Sequence, residues 1–261
     1  MGVQSNAARA SGNAAMINVR RGSKSGTKWG WGFEGERFIT FWLAAGAPER
    51  YHCLSVAAKL GPMVDRAASG FGGSIDARTS SAIEAWLDRL QEWNARMDLT
   101  AARSAPELVD LMLADALFLS IHVPRGARLV DIGTGAGAPG LALALLRPDL
   151  VTTLVEPLGK RASFLRTVIG ALDRTDIVLE GRRGEAFGGR RDWDVAVSRA
   201  TLEPSAWLEL AAGLVRSGGA VWALLAKDAP PVHPQAVVEG DFAYEWPLTG
   251  ARRRAVLYRV E

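Results

Sequence analysis

An aspartate followed by alternating glycines is the combination in this chain best suited to chemistry. The stretch reads Leu129-Val130-Asp131-Ile132-Gly133-Thr134-Gly135-Ala136-Gly137-Ala138-Pro139-Gly140. A short apolar run that ends in an acid and then meets glycines hands a parallel strand over to a helix. Glycine at alternate positions accepts positive φ and removes each Cβ that would hold a ligand off the backbone. The helix that follows aims its free N–H groups at that ligand. The chemistry implied is the binding of a nucleotide-like molecule, and two ligands fit. Gly135-x-Gly137-x-x-Gly140, with an acid (Glu156) about twenty residues on, satisfies the dinucleotide fingerprint. S-adenosyl-L-methionine suits Asp131, which can fix the loop or meet the ammonium of a methionine moiety. Pro139 also speaks for the methyl donor, because it has no N–H to offer a pyrophosphate. The spacing ranks the two ligands and excludes neither.

These residues need a sheet to position them. Strand-like runs fall at 129–132, 151–155, 177–179, 195–197 and 220–225, with helical stretches at 141–146, 162–172 and 206–214 between them. Short apolar strands alternating with helices predict a parallel sheet covered on both faces. Two further strands, 242–246 and 254–260, follow with no helix between them and predict an antiparallel pair at the sheet edge. The fold expected is therefore α/β and Rossmann-like, a seven-stranded, mostly parallel sheet with an antiparallel edge, of the class I S-adenosylmethionine-dependent methyltransferase type. Upstream, Ser81-Ala82-Ile83-Glu84 fits a capping box, and Ile83, Trp86, Leu87, Leu90, Trp93 and Met97 recur at helical spacing. Ser104-Ala105-Pro106-Glu107 marks a second helix start. Three regions result: an extension over 1–75, a small helical preface over 76–127, and a methyltransferase core over 128–261.

The extension is rich in Gly, Ser and Ala and has no lasting periodicity. It holds nine Lys or Arg against four acids, whereas the remainder holds twenty-two against twenty-four. It reads as a basic extension, an RNA-touching arm, or the product of a translation start placed too far upstream. The apolar island at 38–45 is too short for a membrane span. A core that is not strongly basic must meet nucleic acid through a local patch. Cys53 is the single cysteine and His52, His122 and His233 lack ligand spacing, so no disulfide within the chain and no metal site is expected. The expected location is the cytoplasm.

Glu156 ends the second strand, where a carboxylate can accept hydrogen bonds from both ribose hydroxyls. Arg199 lies just past the fourth strand, at the edge where such sheets bind ligands. It can hold the cofactor, a phosphate or a guanine O6, or it can serve a structural ion pair. Lys160, Arg161, Arg183 and Arg253 are candidate phosphate contacts around the same mouth. Methylation of pyrimidine C5 needs a cysteine nucleophile in the domain, and Cys53 lies outside it. Exocyclic amine methylation goes with Asn/Asp-Pro-Pro-aromatic after the fourth strand, where this chain has Ser198-Arg199-Ala200-Thr201.

Five separated motifs, in order, carry a resemblance to a known family. They are Trp93-Asn94 followed by Asp98-Leu99-Thr100; Gly133-Thr134-Gly135-Ala136-Gly137-Ala138-Pro139-Gly140; Glu156-Pro157-Leu158-Gly159-Lys160-Arg161; Arg183-Gly184-Glu185; and Ser198-Arg199-Ala200. Together they resemble the bacterial small-subunit rRNA guanine-N7 methyltransferase G family (RsmG, also called GidB) over about two-thirds of the chain. The departures are Ala138 where Phe or Leu is usual, Asp98 for Asn, and Met112 and Ala116 where the family's second helix has His and Ser around the shared Asp115.

The resemblance implies methyl transfer from S-adenosyl-L-methionine to N7 of a guanine in 16S rRNA, with the small ribosomal subunit as partner and a monomeric enzyme. It implies cofactor binding by Asp131, Gly133, Gly135, Ala138, Glu156, Gly184, Glu185 and Arg199, with the backbone at Gly184 and Glu185 meeting the adenine edge. Arg199, Lys160 and Arg183 would position the RNA. A small-molecule methyltransferase and a non-catalytic, ribosome-associated cofactor binder are the alternatives.

Overall fold

Seven runs of β-forming residues become strands: β1 (Arg128–Ile132), β2 (Val151–Val155), β3 (Val178–Glu180), β4 (Trp193–Arg199), β5 (Val215–Leu225), β6 (Ala236–Glu245) and β7 (Arg252–Val260). In the computed structural model the described residues are 60–226 and 228–261. The basic run at 20–24, the island at 38–45, His52 and Cys53 lie outside them. The strands form one sheet in the order β3-β2-β1-β4-β5-β7-β6. β1 pairs in parallel with β2 and β4, β2 with β3, and β4 with β5, while β7 pairs antiparallel with both β5 and β6. The expected seven strands and antiparallel edge are both present.

Three helices precede the sheet: α1 (Gly61–Gly70), α2 (Ala77–Met97) and α3 (Ala105–Ser120). The rest alternate with strands: α4 (Gly140–Leu146), α5 (Gly159–Ala171) and α6 (Pro204–Ala212), with a 3-10 turn at Gly184–Phe187. Two apolar layers cover the sheet. Leu129, Leu154 and Val195 pack towards Trp86, Leu113, Leu141 and Phe164 on one face. Val130, Ile132, Val155 and Ala196 pack towards Trp207, Leu208 and Ala211 on the other. Alternate residues of β1 thus enter opposite layers, which requires a strand buried on both faces.

The structure corrects several element boundaries. α1 lies inside the stretch read as an extension, and its Val64, Ala67 and Ala68 are buried. A helix whose inward face is mostly small residues gives little periodic signal, and it is stabilised by what it packs on. α2 begins at Ala77 and not at Ser81, because Asp76 Oδ1 accepts from both the Arg78 and Thr79 N–H groups at 3.0 Å. Ser81 and Glu84 are interior to that helix. The second start is where the sequence places it, with Ser104 capping the Glu107 N–H. β5 reaches back to Val215, with Gly218 at φ +76° and a register irregularity opposite Trp193 and Val195. β6 starts six residues before the expected strand, since its alternating burial is that of an edge.

Candidate active site

The carboxyl ends of β1, β2 and β4 bring Asp131, Glu156 and Arg199 to one edge of the sheet. The glycine loop leaves β1 there and is held from two sides. On the β2 side, the Gly133 and Thr134 N–H groups donate to the Val155 carbonyl at 2.8 and 3.1 Å. The Gly135 N–H donates to Glu156 Oε2 at 3.0 Å, and the Leu158 N–H to Glu156 Oε1 at 2.8 Å. On the other side, the buried Trp86 indole N–H donates to the Ala136 carbonyl at 3.1 Å. A Cβ on Gly137 would come within 3.0 Å of the same indole. Trp86 is a site residue that sequence reasoning placed only on an apolar helix face. Its bond spans fifty residues, and no local pattern announces it.

Gly133 and Gly135 both need the left-handed region, at φ +71° and +62°. Their surroundings differ. A side chain at Gly133 would run into Thr201, which follows β4, whereas one at Gly135 would meet only the Gly133 carbonyl, at 4.0 Å. The loop therefore opens at Gly135 and is closed by protein at Gly133. Ala138 is buried and faces inward with the loop's second half.

Asp131 is fully buried, and its Oδ2 accepts from the Gly140 N–H at 2.8 Å. It therefore fixes the loop end, one of the two roles read from the sequence. Its Oδ1 has no hydrogen-bond partner, and neither does the buried Thr134 Oγ1. Burial pushes the Asp131 carboxyl up to about 6, and nearby Glu156 adds to this. The adjacent Thr134 hydroxyl, the Gly140 N–H and the Arg199 charge pull it the other way. An orphaned carboxylate oxygen beside an open glycine loop suits a ligand carrying a cationic donor, and Glu156 at the next strand end suits a diol. A methionine ammonium and a ribose, the two ends of S-adenosyl-L-methionine, match this donor set.

Gly184 is buried, and a Cβ there would meet Ile132 at 2.6 Å, so the 3-10 turn closes tightly on the end of β1. The Glu185 side chain points outward, exposed. Arg183 caps the turn and is exposed, with no carboxylate partner among the described residues. Lys160 at the start of α5 donates to the Met97 carbonyl at 3.0 Å and ties the preface to the core. That carbonyl is presented by a turn built from the Trp-Asn motif. Asn94 Oδ1 accepts from the Leu99 and Thr100 N–H groups at 2.6 and 2.8 Å, and Asp98 sits in the left-handed region at φ +51°.

Arg199 serves the ion pair read as one of its alternatives. Its Nη1 donates to Asp115 Oδ2 at 3.1 Å and to the Leu111 carbonyl at 2.5 Å, both on α3. Asp115 is buried, and its Oδ1 accepts from the Tyr244 hydroxyl and the Trp246 indole, each at 2.8 Å. Burial, reinforced by that carboxylate, pushes the Tyr244 hydroxyl far above its usual range. One carboxylate thus joins α3, β4 and the β6–β7 connection. Met112 and Ala116, where the family has His and Ser, are both buried in the apolar layer around this pair. Among the described residues, no group of three His, Cys, Asp or Glu side chains is placed to hold a metal ion, and no helix is long and apolar enough to cross a membrane.

A sheet of this order, with a glycine loop between two acids at its carboxyl edge, defines an S-adenosylmethionine-dependent methyltransferase of the class I fold. Comparison with known proteins is narrower. Residues 79–230 match the family model described as GidB, rRNA small subunit methyltransferase G. The chain is 32% identical over 200 residues to the ribosomal RNA small subunit methyltransferase G of Anaeromyxobacter dehalogenans (strain 2CP-C), covering 72% of this chain and 92% of that one. It is 32% identical over 216 residues to the protein of the same name from Myxococcus xanthus, covering 76% and 97%. Among solved structures, it is similar to M. jannaschii TYW2 in complex with AdoMet, with a TM-score of 0.46 and 9% identity over 56% of this chain and 75% of that one. The chain belongs to the rRNA small subunit methyltransferase G family.

Proposed function

We propose that this enzyme transfers a methyl group from S-adenosyl-L-methionine to N7 of one guanine in 16S rRNA, with the small ribosomal subunit as its partner. The observation that carries the reading is a glycine loop with room at Gly135, held at its ends by the carboxylates of Asp131 and Glu156 on adjacent strands. Asp131 would hold the ammonium end, Glu156 the ribose, the Gly133–Ala138 backbone the chain between them, and the turn at Gly184 and Glu185 the adenine edge. When bound, the cofactor supplies an electrophilic methyl group on a sulfonium. Guanine N7 carries an in-plane lone pair and no proton, so the protein needs to orient and not to deprotonate. That fits an edge at which, among the described residues, no histidine or cysteine stands beside Asp131, Glu156 and Arg199. Arg199 is the group best placed to orient the purine, since Asp115 and the Leu111 carbonyl engage one nitrogen of its guanidinium, and the largely buried side chain keeps 18% of its surface exposed. Lys160 and Arg183, on the rim, would contact the RNA backbone. The same reading has the enzyme working in the cytoplasm as a monomer and without a metal.

Mass-spectrometric mapping of N7-methylguanine in 16S rRNA from cells with and without the gene tests this. One modified guanine should vanish on deletion and return with the intact gene but not with Gly133→Asp, whose side chain would collide with Thr201. An unchanged map would overturn the reading.

A further inference from the structure

The β6–β7 hairpin carries four arginines, and one of them is treated differently. Arg252 pairs with Glu245, Arg254 with Asp241 and Arg259 with Glu239. Arg253 has no carboxylate partner among the described residues. Its guanidinium carbon lies 3.8 Å from the centroid of the Trp246 ring, and its Nη1 donates to the Arg252 carbonyl at 2.8 Å. An arginine stacked on an indole is held as a flat, oriented cation, with little rotamer freedom left to lose on binding.

Its place in the sheet gives this meaning. Arg199 is level with Leu224 on β5, and Leu224 with Ala255 on β7. β7 runs opposite to β5, so Arg253 lies two residues beyond that row, on the edge that carries the glycine loop. At the usual strand spacing it is two strands, about 10 Å, to the side of Arg199. Tyr244, paired with Arg253 across the hairpin, reaches the same Asp115 that holds Arg199, and so does Trp246. Ala243, Tyr244, Glu245, Arg252 and Arg253 line a concavity of about 330 Å³ there. Arg253 is half-buried within it.

We infer that Arg253, laid on Trp246, is a preformed platform for one unpaired nucleotide of the RNA beside the target guanine. The nucleotide's base stacks on the guanidinium plane while its phosphate meets the charge. Single-stranded RNA is recognised in this way, through splayed bases on aromatic rings or arginine planes, and base edges need not be read. Asp115 keeps the platform in register with Arg199 through two hydrogen bonds on one oxygen and the ion pair on the other. This inference rests on the RNA methyltransferase reading above.

Small ribosomal subunits purified from cells lacking the gene are the substrate for the test, with methyl transfer followed at several salt concentrations. Arg253→Ala should raise KM for subunits about tenfold, leave kcat within about twofold, and lower the salt slope by about one. The affinity for S-adenosyl-L-methionine, measured by calorimetry, should not change. Arg253→Lys should keep the salt slope but not the KM, because an ammonium has no plane. Arg252→Ala, which removes the same charge from the paired neighbour, should change KM little. A wild-type KM in Arg253→Ala, full rescue by lysine, or equal losses in the two alanine variants would each overturn the platform while the methyltransferase reading stood. No transfer by the wild-type enzyme would remove both.

Discussion

Replacing Trp86 with Phe keeps a ring in the core and removes one donor, which makes it a sharp probe of how the glycine loop is held. The indole N–H is the only donor the structure gives to the Ala136 carbonyl among the described residues, and both groups are buried. A buried carbonyl left without a donor costs about 1–3 kcal/mol. The smaller ring adds a packing loss well below the ~3–5 kcal/mol of a full truncation to Ala. A total stability loss of about 2 kcal/mol is expected. The loop then relaxes to satisfy Ala136, and restoring its binding geometry draws on the affinity for S-adenosyl-L-methionine. If about 1–2 kcal/mol falls on that step, Kd rises about 5- to 30-fold. Leu90→Ala, one turn along the same helix, is the comparison, since it loses stability without freeing a loop carbonyl. Calorimetric titration and chemical denaturation of the two variants separate the effects. Equal S-adenosyl-L-methionine affinity in Trp86→Phe and wild type, at a lowered stability, would refute the reasoning and reduce Trp86 to a core residue.

Three further outcomes follow from the same edge. Asp131 has a folded-state pKa raised from 3.8 to about 6, so the folded protein holds this proton more tightly than the unfolded chain and loses stability as pH rises through that window. Asp131→Asn should therefore be more stable than wild type by about 3 kcal/mol at pH 7 and equal to it near pH 3 by urea denaturation. Its affinity for S-adenosyl-L-methionine should fall about tenfold or more at pH 7, and wild-type affinity should itself weaken as pH drops through about 6. Arg199→Ala leaves Asp115 with only its Tyr244 and Trp246 donors; a loss of about 2 kcal/mol and at least about 100-fold in methyl transfer is expected, with the circular dichroism spectrum retained. Gly133→Ala should abolish S-adenosyl-L-methionine binding by calorimetry, and adding Thr201→Ala should recover part of it, because the first obstacle to a Cβ there is the Thr201 side chain.

Much of this architecture was legible from local pattern, because the sheet is buried on both faces and its strands are short apolar runs. β2 falls on the expected residues, and β1 differs only by the inclusion of Arg128. The glycine loop and Glu156 were equally readable, since their residue types and the spacing between them stand in the sequence itself. What pattern cannot carry is pairing across the chain. Arg199 meets Asp115 across 84 residues, and Trp86 meets Ala136 across 50. In each case both residues look ordinary where they stand: an acid on a helix, an arginine past a strand, a tryptophan on an apolar stripe. α1 escaped for another reason, as Ala and Gly at its inward positions have no hydrophobic contrast to display. Asp76 is the true cap, yet the capping-box pattern five residues later is the stronger local signal.

β7 is made after β6 yet lies between β6 and β5. During synthesis, β6 is therefore made before the strand it will join. Tyr244 and Trp246 are likewise made before β7, the strand that holds their hairpin to the sheet. At about 5–20 residues per second, the sixteen residues from Trp246 to Glu261 take roughly one to three seconds to make. Over that interval the nascent chain has its glycine loop and both acids but lacks the hairpin that meets Asp115. The parallel half of the sheet, with its glycine loop and both acids, thus precedes in synthesis the hairpin that meets Asp115.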